Sequence, residues 1–258
     1  MTAASTASVR PPAGQHGPPP AAGSRQAAVG LTLAAAIGAA WLALHVWGVF
    51  FHPLTPAGLA VAPLVVAALT WLDVGLFIVA HDCMHGSLAP GRPRVNRAIG
   101  RVALALYAGF SFDRLLPKHH AHHRHAGTAA DPDFDPRERH GFWRWYGRFF
   151  REYFGWREFA VLAALPWAYV LVLGARWPSL LLFWALPAIL SSLQLFAFGT
   201  YLPHRHGSEP FADRHRARSS DFGWLASLLT CFHFGYHHEH HLQPGLPWWR
   251  LPQARTPR

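Results

Sequence analysis

Histidine is the residue type in this chain whose number and spacing point to chemistry. Fourteen of its nineteen histidines fall into four tight groups: His81 and His85; His119, His120, His122, His123 and His125; His204 and His206; His233, His237, His238, His240 and His241. Imidazole titrates near neutrality and, unprotonated, is the commonest protein ligand for metals. A lone H-x3-H pair says little, but H-x2-H-H occurs twice, at His119/His122/His123 and at His237/His240/His241. On a helix, residues i, i+3 and i+4 share a face, so each triplet can present its rings together, as can His81 and His85. His204 follows an apolar segment and can reach the same place. These nine side chains exceed the needs of one ion and suit two. Imidazole accepts zinc, copper, iron or nickel. Structural zinc closes its site with four ligands, whereas nine histidines without a cysteine set fit two redox ions with open positions better.

The remaining clustered histidines, His120, His125, His206, His233 and His238, could be ligands, donors to ligands or surface residues. Metal-bound histidines usually donate their other ring nitrogen to a carboxylate or carbonyl. Asp82, Asp131, Asp133, Asp135 and Glu239 are the acids placed to receive such bonds, and the run Asp131-Pro-Asp-Phe-Asp135-Pro reads equally well as a solvated turn. Asp73 lies inside an apolar segment, two turns before His81; an acid there is a functional candidate or an interhelical hydrogen-bonding group. Cys83 and Cys231 are the only cysteines. They give no disulfide framework and no cysteine-type zinc site, and Cys83 reads as a packing residue.

The elements that must position these groups are apolar. The 258-residue chain is 51% hydrophobic and 14% charged, where ordinary globular chains are about 25% charged. The net charge of +10 alone would suggest nucleic acid, but the basic residues flank long apolar stretches rich in Trp and Phe, which is the pattern of a membrane protein with a cationic face. A bilayer span needs about 20 apolar residues. Four stretches qualify, at 28–51, 57–80, 157–175 and 178–200. Two shorter runs, 98–112 and 222–234, read as interfacial or re-entrant helices, and 142–156 as an amphipathic helix in the headgroup region. Residues 1–27, with Pro18, Pro19 and Pro20, read as a disordered tail, 28–252 as one integral-membrane domain and 253–258 as a short C-terminal tail. Of the Lys and Arg residues, only Arg176 falls on the side opposite the tails and the histidine groups. The positive-inside rule therefore puts both termini and every histidine group on the cytoplasmic side. A metal transporter or sensor is the reading from another class, but transporters place ligands near the bilayer midplane, whereas these lie at and beyond the span ends.

In these groups, and in the strings GLFIVAHDCMHGS, HHAHHRHAGT followed by DPDF, FGTYLPHR and CFHFGYHHEHHLQPGLPWWRLP, the chain resembles the membrane-bound di-iron oxygenases. Within them it is most similar to the bacterial β-carotene ketolases. The likeness covers roughly residues 30–252. It implies an all-α membrane fold of about four transmembrane helices with interfacial or re-entrant helices, in the bacterial inner membrane. It implies two iron ions held by His81, His85, His119, His122, His123, His204, His237, His240 and His241, with O2 as co-substrate. The implied reaction converts the C4 methylene of a β-ionone ring to a ketone by two hydroxylations and loss of water, on β-carotene and other β-ring carotenoids. A fatty acyl desaturase or hydroxylase, or a carotenoid ring hydroxylase, is the alternative within the same group. Acyl desaturases carry an Asn four residues before the histidine matching His204; here that position is Thr200. No dinucleotide, haem or iron–sulfur motif is present in the sequence. A separate ferredoxin with its reductase is thus the expected electron donor, drawn to the cationic face.

Overall fold

The computed structural model describes residues 20–137, 141–207 and 209–255, and every regular element among them is helical. In chain order these are α1 (Pro20–Val46, prolonged by a π-helical turn, Trp47–Phe51), α2 (Pro56–His85), α3 (Pro93–Ala108), α4 (Phe112–His125), α5 (Gly141–Tyr153), α6 (Trp156–Leu171), α7 (Trp177–His204), α8 (Trp224–Cys231), α9 (His237–Leu242) and α10 (Leu251–Ala254). Three are long and apolar enough to cross a bilayer: Gly23–Phe51, Pro56–His85 and Trp177–His204.

Several boundaries differ from the sequence reading. The first helix starts at Pro20, not near residue 28. Proline is barred from helix interiors but tolerated at the first helical position, where its missing N–H would have no partner. The expected third span is α6, of 16 residues with Pro166 inside it. At 1.5 Å per residue it is about 24 Å long, short of the roughly 30 Å hydrocarbon core. The remainder of the expected tails, residues 1–19 and 256–258, lies outside the described residues. The short helix α8 and the amphipathic α5, with Trp145 buried and Trp143 exposed, fall within or close to the expected runs 222–234 and 142–156, whereas α3 starts at Pro93, ahead of the expected run 98–112, and ends at Ala108, where Gly109 (φ +67°) closes it.

α2 is the hub. In its most apolar window 61% of residues are buried in protein, against 22% for α1 and 28% for α7, so the outer two keep a face for lipid. Local chemistry fixes its ends. The Thr55 hydroxyl accepts from Gly58 N at 3.2 Å and Pro56 opens the first turn; Gly86, at φ +70°, closes the last. Gly75 allows close packing midway along this helix: a Cβ there would lie 2.7 Å from the Phe232 ring and 3.0 Å from Ile37. α2 and α7 both start near the turn after α1 and both end on histidine. α3 doubles back beside α2, and α4 follows it at a sharp turn secured by Asp113, which accepts from Arg97 and Arg101. That arrangement brings α4 and α9 across the ends of α2 and α7.

Candidate metal centre

All nine predicted ligands meet where these helices converge, and they divide into two groups. His81, His85, His119, His123 and His240 form one; His122, His204, His237 and His241 form the other. Within each group, one ring nitrogen from every histidine lies within 4.8 Å of the rest. The division follows helical geometry more finely than a shared face does. Each i, i+4 pair stays together: His81/His85 on α2, His119/His123 on α4, His237/His241 on α9. The odd member of each triplet crosses to the other group, His122 from α4 and His240 from α9.

The contacts have the spacing of a coordination shell. His119 Nε2 is 2.6 Å from His85 Nε2, and His240 Nε2 is 3.1 Å from His123 Nε2. In the second group Nε2 atoms run from His204 to His237 (3.0 Å), His237 to His241 (3.1 Å) and His241 to His122 (3.2 Å). Metal–imidazole bonds of about 2.1 Å put adjacent ligand nitrogens about 3 Å apart. Two tautomers are fixed by the outer ring nitrogens. His122 Nδ1 donates to Asp131 at 3.0 Å, and His204 Nδ1 donates to the Arg216 carbonyl at 2.8 Å. Both neutral rings then present Nε2 lone pairs inward, toward other imidazoles, an arrangement that a cation satisfies and a hydrogen-bond network cannot complete. Both His81 ring nitrogens are buried without a hydrogen-bond partner, which points the same way. The residues therefore fit two metal ions.

Electrostatics favour the neutral rings that ligation requires. Burial first, and then neighbouring imidazoles, hold His119, His237, His240 and His241 well below the usual imidazole range, and lower His123 to about 2. His122 differs: burial alone would lower it, but the Asp133 and Asp131 carboxylates turn the shift upward. Asp131 is 1% exposed and accepts from His122, Gly127 N (2.9 Å) and Asp133 N (2.9 Å). Asp133 sits 3.7 Å from His122 Nδ1 and accepts from the Tyr153 hydroxyl. The two groups differ in burial. All four histidines of the second are buried, whereas His85, His119 and His123 of the first are partly exposed.

The other sequence candidates lie outside both groups. His120 donates to the Met84 carbonyl (3.2 Å), His238 contacts Asp213 (2.8 Å), and His125 is exposed. His206 packs on Phe134 and Phe211, while the buried His233 lies beside Tyr236 and Trp248. Asp82 approaches His81 Nδ1 only to 3.6 Å and accepts from Trp248 N (3.1 Å). Asp135 caps Arg137 N (3.0 Å) and Glu239 accepts from Ser219. Asp73 accepts from Trp41 Nε1 at 2.6 Å, far down α2. Sequence reasoning missed Tyr153 and Arg216. A tyrosine among the α5 aromatics and a backbone carbonyl in a loop carry no signal of such roles.

A cavity of about 570 Å3 ends at the histidines, lined there by His81 and His119 of one group and His122 and His237 of the other. Its wall also includes Met84, Leu115, Phe234 and Thr200, and side chains of α5, α6 and α7. Thr200, at the position where acyl desaturases carry Asn, lines the cavity and is buried.

Membrane-length helices bearing a histidine centre at the end of an apolar cavity define an integral-membrane oxidoreductase. The fatty acid desaturase family model matches residues 54–161 and 151–257, and the chain belongs to that family. It is 57% identical to a β-carotene ketolase of a Paracoccus species, over 89% of this chain and 93% of the relative. A second Paracoccus β-carotene ketolase is 56% identical over 88% of this chain and 92% of the relative. β-Carotene 4-ketolase 3 of the alga Haematococcus lacustris is 42% identical over 72% of this chain and 60% of the relative.

Proposed function

We propose that this protein is a β-carotene ketolase, converting the C4 methylene of β-ionone rings to a ketone with O2. The observation that carries the reading is the apolar cavity ending on imidazoles of both groups, in a chain whose relatives at 57% and 56% identity bear that name. Each ring would consume two O2, four electrons and four protons, releasing three waters as CH2 becomes C=O. β-Carotene would pass through echinenone to canthaxanthin.

Two iron ions, held by His81, His85, His119, His123 and His240 and by His122, His204, His237 and His241, would supply the redox chemistry that activates O2 and oxidises C4. The chain's own part is positioning. The C4 hydrogens are allylic to the polyene, so their bonds are weak and placement is the main demand. Met84, Leu115 and Phe234 confine the ring against the histidines and exclude water. Asp131 and the Arg216 carbonyl hold His122 and His204 in the tautomer that turns Nε2 inward. Electrons would come from a ferredoxin and its reductase. His85 and His123, partly exposed and outside the cavity lining, put the first group nearer such a donor.

The same reading sets the protein across the bacterial inner membrane with four crossings, both termini and the histidine centre in the cytoplasm. The distribution of Lys and Arg supports this. So do the exposed apolar Leu171 at the end of α6 and Val172 and Leu173 in the turn after it, which carry the apolar stretch past the helix.

Expression in a bacterium that makes β-carotene tests the function. Pigments gaining one oxygen and losing two hydrogens per ring are expected. Oxygen gained without hydrogen loss would instead make the protein a ring hydroxylase, and unchanged pigment with altered membrane lipids an acyl-chain enzyme.

A further inference from the structure

The cavity wall is mainly apolar apart from the histidines, yet it contains a carboxylate, Asp133, with the Tyr153 hydroxyl bonded to it. Among the described residues no other acid, and no Lys or Arg, lines the cavity. A hydrocarbon ring can bond to neither group, and a carboxylate facing it loses water without replacement. Support of a ligand does not account for Asp133 either. His122 Nδ1 gives its proton to Asp131 at 3.0 Å, while Asp133 Oδ2 stands off at 3.7 Å, beyond hydrogen-bonding distance.

The pair is held firmly. Trp145 Nε1 donates to the Asp133 carbonyl at 2.7 Å, Arg148 donates to the Phe134 carbonyl, and Phe134 meets the Trp145 ring edge-on at 5.5 Å. These contacts fix residues 131–134 against α5, whose last residue is Tyr153. Lys118 Nζ lies over the Tyr153 ring at 5.0 Å and is paired with Glu152 at 2.8 Å. Tyr146 and Ser192, also in the wall, bond one another at 2.6 Å. The hydrogen-bonding capacity of Asp133 and Tyr153 is one-sided. A carboxylate only accepts, and the phenol has committed its one proton to it. What remains beside His122 is a set of acceptor lone pairs, suited to a partner that brings an O–H.

We propose that Tyr153 and Asp133 retain the alcohol formed at C4 by accepting its O–H, and release the ketone, which has no proton to give. The inference rests on the ketolase reading. Each hydroxylation consumes one O2, two electrons and two protons and releases one water. The first turns CH2 into CHOH, whose O–H then donates to the pair and keeps C4 at the histidines. The second gives the gem-diol, which loses water to become C=O. A carbonyl only accepts, so it meets these lone pairs without forming a bond and leaves. The pair thereby sets the product as ketone rather than alcohol. A hydrogen bond to a charged acceptor is worth roughly tenfold or more in occupancy.

The test uses purified, iron-loaded protein in lipid vesicles with β-carotene, O2 and a reducing system, stopped at low conversion. The readout is the ratio of 4-hydroxy to 4-keto rings, which is independent of overall rate. Tyr153→Phe, with its iron content measured, should raise this ratio about tenfold over the unmodified protein. A rise of less than about threefold in iron-loaded Tyr153→Phe protein would overturn the proposal. Should that variant fail to fold, Asp133→Asn, which puts an N–H donor in the pair, should raise the ratio likewise, and an unchanged ratio there overturns it. Equilibrium binding without O2 or reductant gives a second readout. The unmodified protein should bind a 4-hydroxy carotenoid about tenfold more tightly than its 4-keto counterpart, and equal binding would overturn the proposal. No C4 oxidation by the unmodified protein would overturn the ketolase reading, while the binding preference still tests the pair.

Discussion

Replacing Asp131 with Asn separates the two histidine groups experimentally. The carboxylate is buried and acceptor-only. Oδ1 receives His122 Nδ1 (3.0 Å) and Asp133 N (2.9 Å); Oδ2 receives Gly127 N (2.9 Å) and is 3.1 Å from His122 Nδ1. An amide of the same shape must turn its NH2 toward one of these backbone donors, leaving a buried N–H without an acceptor. That costs about 1–3 kcal/mol of stability. The bond that orients His122 also loses its charge. Loss of such an orienting partner typically lowers metal affinity 10–100-fold, roughly 1.4–2.7 kcal/mol. Because Asp131 supports His122 alone, the loss should fall on the four-histidine group. Anaerobic ferrous titration with iron quantification should show one site retained at wild-type affinity and one weakened. Two undisturbed sites, or equal weakening of both, would refute the role assigned to Asp131.

The remaining predictions follow from the same geometry. His241→Ala and His123→Ala each remove one ligand from a different group. Each should abolish ketone formation and reduce bound iron while the protein still reaches the membrane, as read by pigment analysis, iron content and membrane immunoblot. Gly199→Val should impair oxidation of β-carotene at least tenfold while iron content is kept, because a Cβ there already meets the Phe234 ring at 3.1 Å in the cavity wall. The metal-free protein should lose thermal stability as pH falls below about 6.5. His119, His123, His237, His240 and His241 are held neutral when folded and gain protons on unfolding below their ordinary value of 6.5. The unfolded state then binds more protons, and stability drops with pH. A melting temperature in detergent that stays flat from pH 7 to pH 5 would contradict this.

How much of this was readable in the chain depends on whether a feature is local. The i, i+4 pairs His81/His85, His119/His123 and His237/His241 are set by helical periodicity, and their joint arrival at one group follows from it. The transfer of His122 and His240 to the opposite group depends on how α4 and α9 cross, which sequence spacing does not encode. Asp131 was one of five acids placed to receive a histidine N–H, in a run that reads equally well as a solvated turn; its choice of His122 is tertiary. Arg216 contributes a carbonyl, which every residue has. The cavity draws on several helices at once, so no stretch of sequence announces it. The early start at Pro20 and the shortness of α6 turn on single prolines and turns, to which apolar run length is blind.

The most direct measurement compares the same purified protein loaded with iron or with zinc, in vesicles containing β-carotene, O2 and a reducing system. The account predicts mono- and then diketone from the iron-loaded protein and no product from the zinc-loaded one. Ketone from the zinc-loaded protein, or none from a protein holding two irons, would contradict it.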